Sequence, residues 1–268
     1  MKLPIYQVDA FCDAVFHGNP AAVCPLPAGL PDVTLQAIAM ENNLSETAFL
    51  MADGERMSLR WFTPTTEVDL CGHATLASAW VLFHELGWRE ERIVFHTRSG
   101  ELTARRDGDG IELRFPAVTP RPCAEPPGLL AALGLDTGQV LAADDYIVVL
   151  DDAARLAELC PDFQRLRGFP KRGVAVTARG EDCDFVSRWF GPGVGVDEDP
   201  VTGSAHCWLA PYWAAVLGKT RLLARQGGAR RGSLECRVEG EEVALLGQAR
   251  LYLKGEIYVQ SDAQTLDC

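Results

Sequence analysis

One segment of the chain occurs twice, at a distance that only a duplicated fold unit explains. Arg60-Trp61-Phe62-Thr63-Pro64 returns as Arg188-Trp189-Phe190-Gly191-Pro192, and after each copy a loop of acidic residues and turn formers leads to a glycine that opens an apolar stretch. The apolar stretches match in length, with 15 residues from Gly72 to Gly87 and 15 from Gly203 to Gly218. Ala77, Leu82 and Leu86 of the first are answered in apolar character by Trp208, Trp213 and Leu217 of the second. The loops differ by three residues, since Phe62 to Gly72 is 10 and Phe190 to Gly203 is 13. This spacing is too large for a solenoid period. The chain therefore has two halves built alike, and their seam is the first place to look for a functional pocket.

A chain of 268 residues accommodates two ordinary domains, and 47% hydrophobic with 23% charged residues suits a globular protein. The net charge of -12, from 25 basic and 37 acidic residues, argues against nucleic acid, whose phosphates it repels. The start of the chain lacks the apolar core of a signal peptide, and no stretch approaches the ~18 apolar residues of a membrane span. The expectation is a cytoplasmic protein that binds neither membrane nor nucleic acid. Nine cysteines without a Cys-x-x-Cys pair indicate neither a disulfide framework nor a structural zinc site. No metal is expected, and most cysteines read as buried apolar filler.

Periodicity and turn signals give the first half a strand at Pro4–Phe11, a Gly18-Asn19-Pro20 turn, a helix from Asp32 to about Asn42 capped near Asp32, and strands at Thr47–Met51 and Met57–Phe62. After the Gly72 helix come strands at Ile93–Thr97, Leu102–Arg106 and Ile111–Phe115, the last two joined by Asp107-Gly108-Asp109-Gly110. Five prolines between Pro116 and Pro127 read as an extended linker. The expected division is a first domain over 1–116, a linker over 117–127 and a second domain over 128–257, with residues from about 258 to 268 as a candidate return to the first. The second half repeats the order, with a strand at Tyr146–Leu150, a helix at Asp152–Leu159, strands at Val174–Thr177 and Asp184–Phe190, and the Gly203 helix. Three strands close it, at Leu234–Val238, Glu242–Leu246 and Ala249–Val259. A helix apolar most of the way round must be enclosed, so the picture is a small curled sheet wrapped about a central helix, twice over.

Both central helices start in a similar way, with Asp69-Leu70-Cys71-Gly72-His73-Ala74-Thr75 and Asp199-Pro200-Val201-Thr202-Gly203-Ser204-Ala205. A helix N-terminus attracts anions through its unsatisfied N–H groups, and glycine admits a ligand close to the backbone. If both starts face the seam, they frame a carboxylate-binding cleft; the alternative is that Thr202, Ser204 and Asp69 only cap helices. His73 at the helix entrance is expected to be a neutral imidazole able to relay a proton. Glu46, directly before the apolar Thr47-Ala48-Phe49-Leu50 run, is the candidate proton-transfer carboxylate, provided that burial desolvates it. Counting 14 residues back from Arg60 gives Glu46, whereas counting 14 back from Arg188 gives Val174, so this acid belongs to one half only.

With Gly18-Asn19-Pro20-Ala21-Ala22-Val23, Asn43-Leu44-Ser45-Glu46-Thr47-Ala48-Phe49, Arg60-Trp61-Phe62-Thr63-Pro64, Asp69-Leu70-Cys71-Gly72-His73-Ala74-Thr75 and Asp199-Pro200-Val201-Thr202-Gly203-Ser204-Ala205-His206 in order, the chain resembles the PhzF-like family, named for a phenazine-biosynthesis isomerase. The resemblance implies an α+β, diaminopimelate-epimerase-like fold of two pseudo-symmetric domains, each a curled β-sheet around a central α-helix. It further implies a site in the cleft, a homodimer and no cofactor. In the namesake a glutamate matching Glu46 shuttles a proton between carbons of dihydro-hydroxyanthranilate, and residues matching His73, Asp199 and Ser204 complete the site. Carried over, Glu46, His73 and Asp199 are the catalytic candidates, and Asn19, Gly72, Thr202, Gly203 and Ser204 the contacts to a small carboxylic acid. A rival reading comes from racemases and epimerases of the same fold, which use two cysteines. Cys71-Gly72-His73 looks like half of their signature, but Thr202 precedes Gly203 and Cys207 lies a turn inside the helix. A metabolite-binding protein without catalysis is the third reading.

Overall fold

The computed structural model describes residues 1–53 and 56–260, and it divides into two compact units. The first contains residues 1–16, 20–113 and the chain from Gln248 onward; the second contains 17–19 and 114–247.

In the first unit, strand Lys2–Ala10 is flanked by Asn19–Leu26 and by Ala249–Tyr258. Asn19–Leu26 runs parallel to Glu46–Asp53, which pairs antiparallel with Arg56–Phe62. Arg56–Phe62 is parallel to Arg92–Thr97, and the antiparallel strands Gly100–Asp107 and Gly110–Pro116 follow. The sheet curls around the helix Gly72–His84, of which Gly72 to Ala79 and Val81 to Phe83 are all buried. Small residues, Ala74, Ala77, Ser78 and Ala79, let strands approach the helix closely, while Leu76 and Leu82 fill the gaps between them. Outside the sheet, helix Asp32–Asn42 packs Leu35, Ile38 and Ala39 onto it and ends at Asn43, whose φ of 49° turns the chain toward Glu46. Asp32 is the first helical residue rather than the cap, and its carboxylate accepts from Arg60.

The second unit repeats the pairing order. Gln139–Ala142 is antiparallel to Tyr146–Leu150, which is parallel to Val174–Arg179. Val174–Arg179 is antiparallel to Phe185–Gly191, and that strand is parallel to Arg221–Gln226. Gly232–Glu239 and Glu242–Gly247 complete the series antiparallel. The enclosed helix is Gly203–Leu217. The sequence of parallel and antiparallel neighbours is the same in both units, so the duplication extends to topology. Each repeated arginine clamps the following loop through a two-pronged carboxylate pair: Arg60 to Glu67 at 2.7 and 2.7 Å, Arg188 to Glu198 at 2.8 and 2.8 Å. The short helical turn Pro192–Val194 takes up the longer second loop.

Two sequence expectations need correction. The return to the first unit starts at Gln248, not near 258, because Ala249–Tyr258 pairs with Lys2–Ala10 along its length; residues 261–268 lie outside the described residues. The proline-rich stretch is not a free linker but part of the second unit. Ala117 N–H donates to Glu241 O, Val118 N–H donates to Cys207 O, and Arg121–Pro122 pairs with Gln139–Ala142. Arg221–Gln226, to which the sequence pattern assigns no element, is a strand between Phe185–Gly191 and Gly232–Glu239.

Candidate active site

The predicted residues fall into two clusters, one in each unit. Glu46, Gly72 and His73 belong to the first unit; Asn19, Asp199, Thr202, Gly203 and Ser204 belong to the second.

In the first cluster, Glu46 is the opening residue of its strand and stands in register with Ala21 of the parallel neighbour. Asn42 donates to Thr47 Oγ1 at 3.0 Å, tying the preceding helix to the same point. Cys71, in extended conformation, is the N-cap of the central helix and makes no capping bond through its side chain. His73 is thereby carried into the helix's first turn, with Nε2 3.2 Å from Glu46 Oε2 and Nδ1 3.5 Å from Cys71 Sγ. Glu46 keeps 16% of its side chain exposed and His73 only 5%. Burial pushes the imidazole down to about 3, so the ring is neutral across the physiological range. A neutral ring carries one N–H. With Glu46 ionised, the arrangement that serves every partner has Nε2–H facing the carboxylate and Nδ1 accepting from the Cys71 thiol. Glu46, Cys71 and His73 also offer donor atoms within 4.8 Å of one another, a zinc-compatible set that sequence spacing does not reveal because Glu46 arrives on a separate strand. His73 faces Glu46 with Nε2 and Cys71 with Nδ1.

In the second cluster, Asp199 is buried and pairs opposite Trp189. Its Oδ1 accepts from Asn19 Nδ2 at 2.7 Å and its Oδ2 from Thr202 Oγ1 at 2.6 Å. Desolvation raises its pKa to about 6 against the pull of Thr202, Asn19 and Arg172. This is the range in which a carboxyl group exchanges protons readily near neutral pH. Asn19 also donates to Val201 O at 3.0 Å. Asn19 and Thr202, expected among the substrate contacts, therefore commit these donors to holding Asp199. Nor does Thr202 act as a cap: it occupies the N-cap position without a capping bond, its hydroxyl donating to Asp199 and accepting from Gln226 Nε2. Ser204 Oγ accepts from Arg172 Nη2 at 3.0 Å.

Gln226, Arg172, Asp145 and Trp189 escaped sequence reasoning. Gln226 receives Thr202 N–H on Oε1 and donates through Nε2 to Asp199 O and Thr202 Oγ1. The signal for Arg172 lies in register. Thr47 pairs with Phe62 and Val174 with Phe190, so Glu46 corresponds to Gly173 and not to Val174. Across the longer second hairpin the count from the arginine is off by one.

A family model described as phenazine biosynthesis-like protein matches residues 8–256. A protein of Pseudomonas aeruginosa named as an uncharacterized isomerase is 62% identical over 259 residues, 97% of this chain and 100% of its own. The crystal structure of a PhzF-family phenazine biosynthesis protein from Enterococcus faecalis has a TM-score of 0.94 at 45% identity, covering 97% of this chain and 100% of that one. A hydroxyproline epimerase from Agrobacterium vitis, with a TM-score of 0.59 at 10% identity over 96% and 91% of the two chains, shares the fold alone.

Proposed function

The chain belongs to the phenazine biosynthesis-like family typified by PhzF and is an isomerase; on that premise we propose that it catalyses an allylic proton shift on a small carboxylic acid without a cofactor, Glu46 serving as general base and then as general acid. The observation that carries this reading is the contact of 3.2 Å between Glu46 Oε2 and Nε2 of a buried, neutral His73. A neutral imidazole beside the carboxylate imposes none of the tight ionic pairing that a charged partner would, and so does not draw down its capacity to take a proton from carbon.

Glu46 takes the proton from the allylic carbon, and the electron pair spreads through the double bond toward the substrate carboxylate. The new Glu46 O–H, which exchanges with solvent while the intermediate lives, then delivers a proton to the far carbon of the allylic system. No electron is gained or lost overall. In the inter-domain cleft that the family resemblance implies, Gly72, Gly203 and Ser204 are the proposed contacts to the carboxylate and to the enolate-like charge. Asp199, with its raised pKa, is a second group able to hold a proton there. The homodimer implied by the same resemblance and a cytoplasmic location remain part of this proposal; among the described residues no helix is long and apolar enough to cross a membrane.

Solvent deuterium exchange into a panel of cyclic and allylic carboxylic acids tests the proposal, with wild type set against Glu46→Gln. Exchange into at least one acid, lost in the variant by about 100-fold or more, is the expected result. Equal exchange in both proteins refutes Glu46 as the base. The approach of Cys71 to His73 gives the racemase reading a foothold, and Cys71→Ser decides it: the isomerase keeps most of its turnover, whereas a thiol-dependent racemase loses it. No cysteine stands at Thr202, the N-cap that matches Cys71, and burial pushes the Cys207 thiol up to about 12.

A further inference from the structure

Arg172 is held in the second unit by a purpose-built socket. Its Nε and Nη2 donate to Asp145 at 3.2 and 2.8 Å, and Asp145, fully buried, also accepts from Trp189 Nε1 at 2.7 Å. The guanidinium lies 5.1 Å from the Trp189 ring centre. Gly173 leaves room for that ring, because a Cβ there would stand 2.4 Å from Trp189 Cζ2. Two features show that Arg172 does more than neutralise Asp145. The Arg172 side chain remains 41% exposed, and among the described residues its Nη1 donates to nothing. Nη2 also donates to Ser204 Oγ at 3.0 Å, so the Ser204 hydroxyl acts as acceptor there and its own hydrogen is left to donate elsewhere, with no acceptor among the described residues. The first unit has no such socket. At the places of Asp145, Arg172 and Trp189 it holds Ala21, Ser45 and Trp61, and among the described residues the Trp61 indole N–H has no hydrogen-bond partner.

We propose that Arg172, with the Ser204 hydroxyl, is the specificity-determining contact that reads a carboxylate on the ligand, Nη1–H and Ser204 Oγ–H donating to its two oxygens. A planar guanidinium fixed on one edge by a buried carboxylate presents its other edge at little entropic cost, which suits two-oxygen recognition better than a flexible lysine does. The ligand class is thus a small acid whose carboxamide is a poor substitute, since the amide NH2 turns a donor toward donors. Only the identification of this ligand as the isomerisation substrate rests on the proposed function; recognition itself does not.

Calorimetric titration of the full chain with anthranilate and with cyclohexenecarboxylate, each beside its carboxamide, tests this in wild type, Arg172→Gln and Arg172→Lys. Wild type should prefer the carboxylate by about tenfold or more, and Arg172→Gln should weaken carboxylate binding about 10- to 100-fold while leaving the carboxamide within about twofold. An undiminished preference in Arg172→Gln overturns the proposal, as does the absence of carboxylate binding to wild type below about 10 mM. Should Arg172→Gln fail to fold, Arg172→Lys decides, a preference reduced about threefold or more supporting the contact and an unchanged one refuting it. Deuterium exchange by Glu46→Gln is followed in parallel: its persistence sinks the isomerase reading without touching Arg172, and an unchanged Arg172→Gln preference sinks Arg172 without touching Glu46.

Discussion

His73 provides a measurement of the site's electrostatics that needs no substrate. Its imidazole is buried in the folded chain, where desolvation sets its pKa at about 3, against 6.5 for the free side chain. The folded value is the lower one, so the contribution to stability is fully present above pH 6.5 and is lost as pH falls toward about 3. At about pH 5 the unfolded chain has gained about 2 kcal/mol from protonating this residue that the folded chain has not. Urea unfolding of wild type and His73→Gln at about pH 7.5 and about pH 5 isolates the effect, because every other titrating group, including the buried His206, is common to both proteins. Wild type should lose about 2 kcal/mol more than the variant between the two conditions. Imidazole nitrogen chemical shifts should also report one neutral tautomer, Nε2–H, at the lower pH. Parallel stability curves, or a ring that titrates near 6.5, would refute a neutral His73 and with it the account of Glu46 as a base beside an uncharged ring.

Asp199 has the opposite sign. Burial raises its pKa from 3.8 to about 6, so its stabilising contribution is fully present below the unfolded value and is lost as pH rises through about 6. Relative to Asp199→Asn, wild type should lose about 2 kcal/mol between about pH 4 and pH 7 in the same unfolding series. Gly173→Ala should destabilise the protein by about 1–3 kcal/mol, because its Cβ would stand 2.4 Å from Trp189 Cζ2 and 2.7 Å from Phe190 O. By displacing the ring under Arg172 it should also weaken carboxylate binding in the titration above, and a variant with unaltered melting temperature and affinity would refute the socket.

The fold was legible where it depended on local pattern. Enclosed central helices follow from the all-round apolar stretches after Gly72 and Gly203, and most strands from alternation or from short apolar runs. Strand partners are long-range facts that alternation does not encode: nothing in Ala249–Tyr258 announces that it pairs with Lys2–Ala10 rather than with its sequence neighbours. The prolines of 116–127 marked an extended path correctly but said nothing of the backbone bonds that Ala117 and Val118 make. In the site, Glu46 and His73 stood out because each sits at the mouth of an apolar element. Arg172 did not, since Pro170-Lys171-Arg172-Gly173 reads as an ordinary basic surface turn until the burial of Asp145 is known. Likewise, Thr202 at a helix start predicts a cap, and only the geometry shows its hydroxyl drawn away to Asp199.

The differences between the copies follow from packing as much as from chemistry. Arg60 with Glu67 and Arg188 with Glu198 are preserved in both units because they clamp the loop that delivers the central helix. The matched positions around them diverge, Val68 against Asp199, Cys71 against Thr202 and Ser45-Glu46 against Arg172-Gly173. A second glutamate at the Gly173 position is sterically barred, since any Cβ there collides with Trp189, whose indole is fixed by Asp145. In the first unit Ala21 stands in place of that aspartate and does not hold Trp61, which leaves Glu46 free to occupy the strand mouth. One buried carboxylate, Asp145, thus decides both outcomes in the second unit: it excludes an acid from the position of Glu46 and fixes a guanidinium one residue earlier. On the proposed reading, the proton-abstracting carboxylate and the Arg172 contact to the ligand then belong to different copies of the same fold.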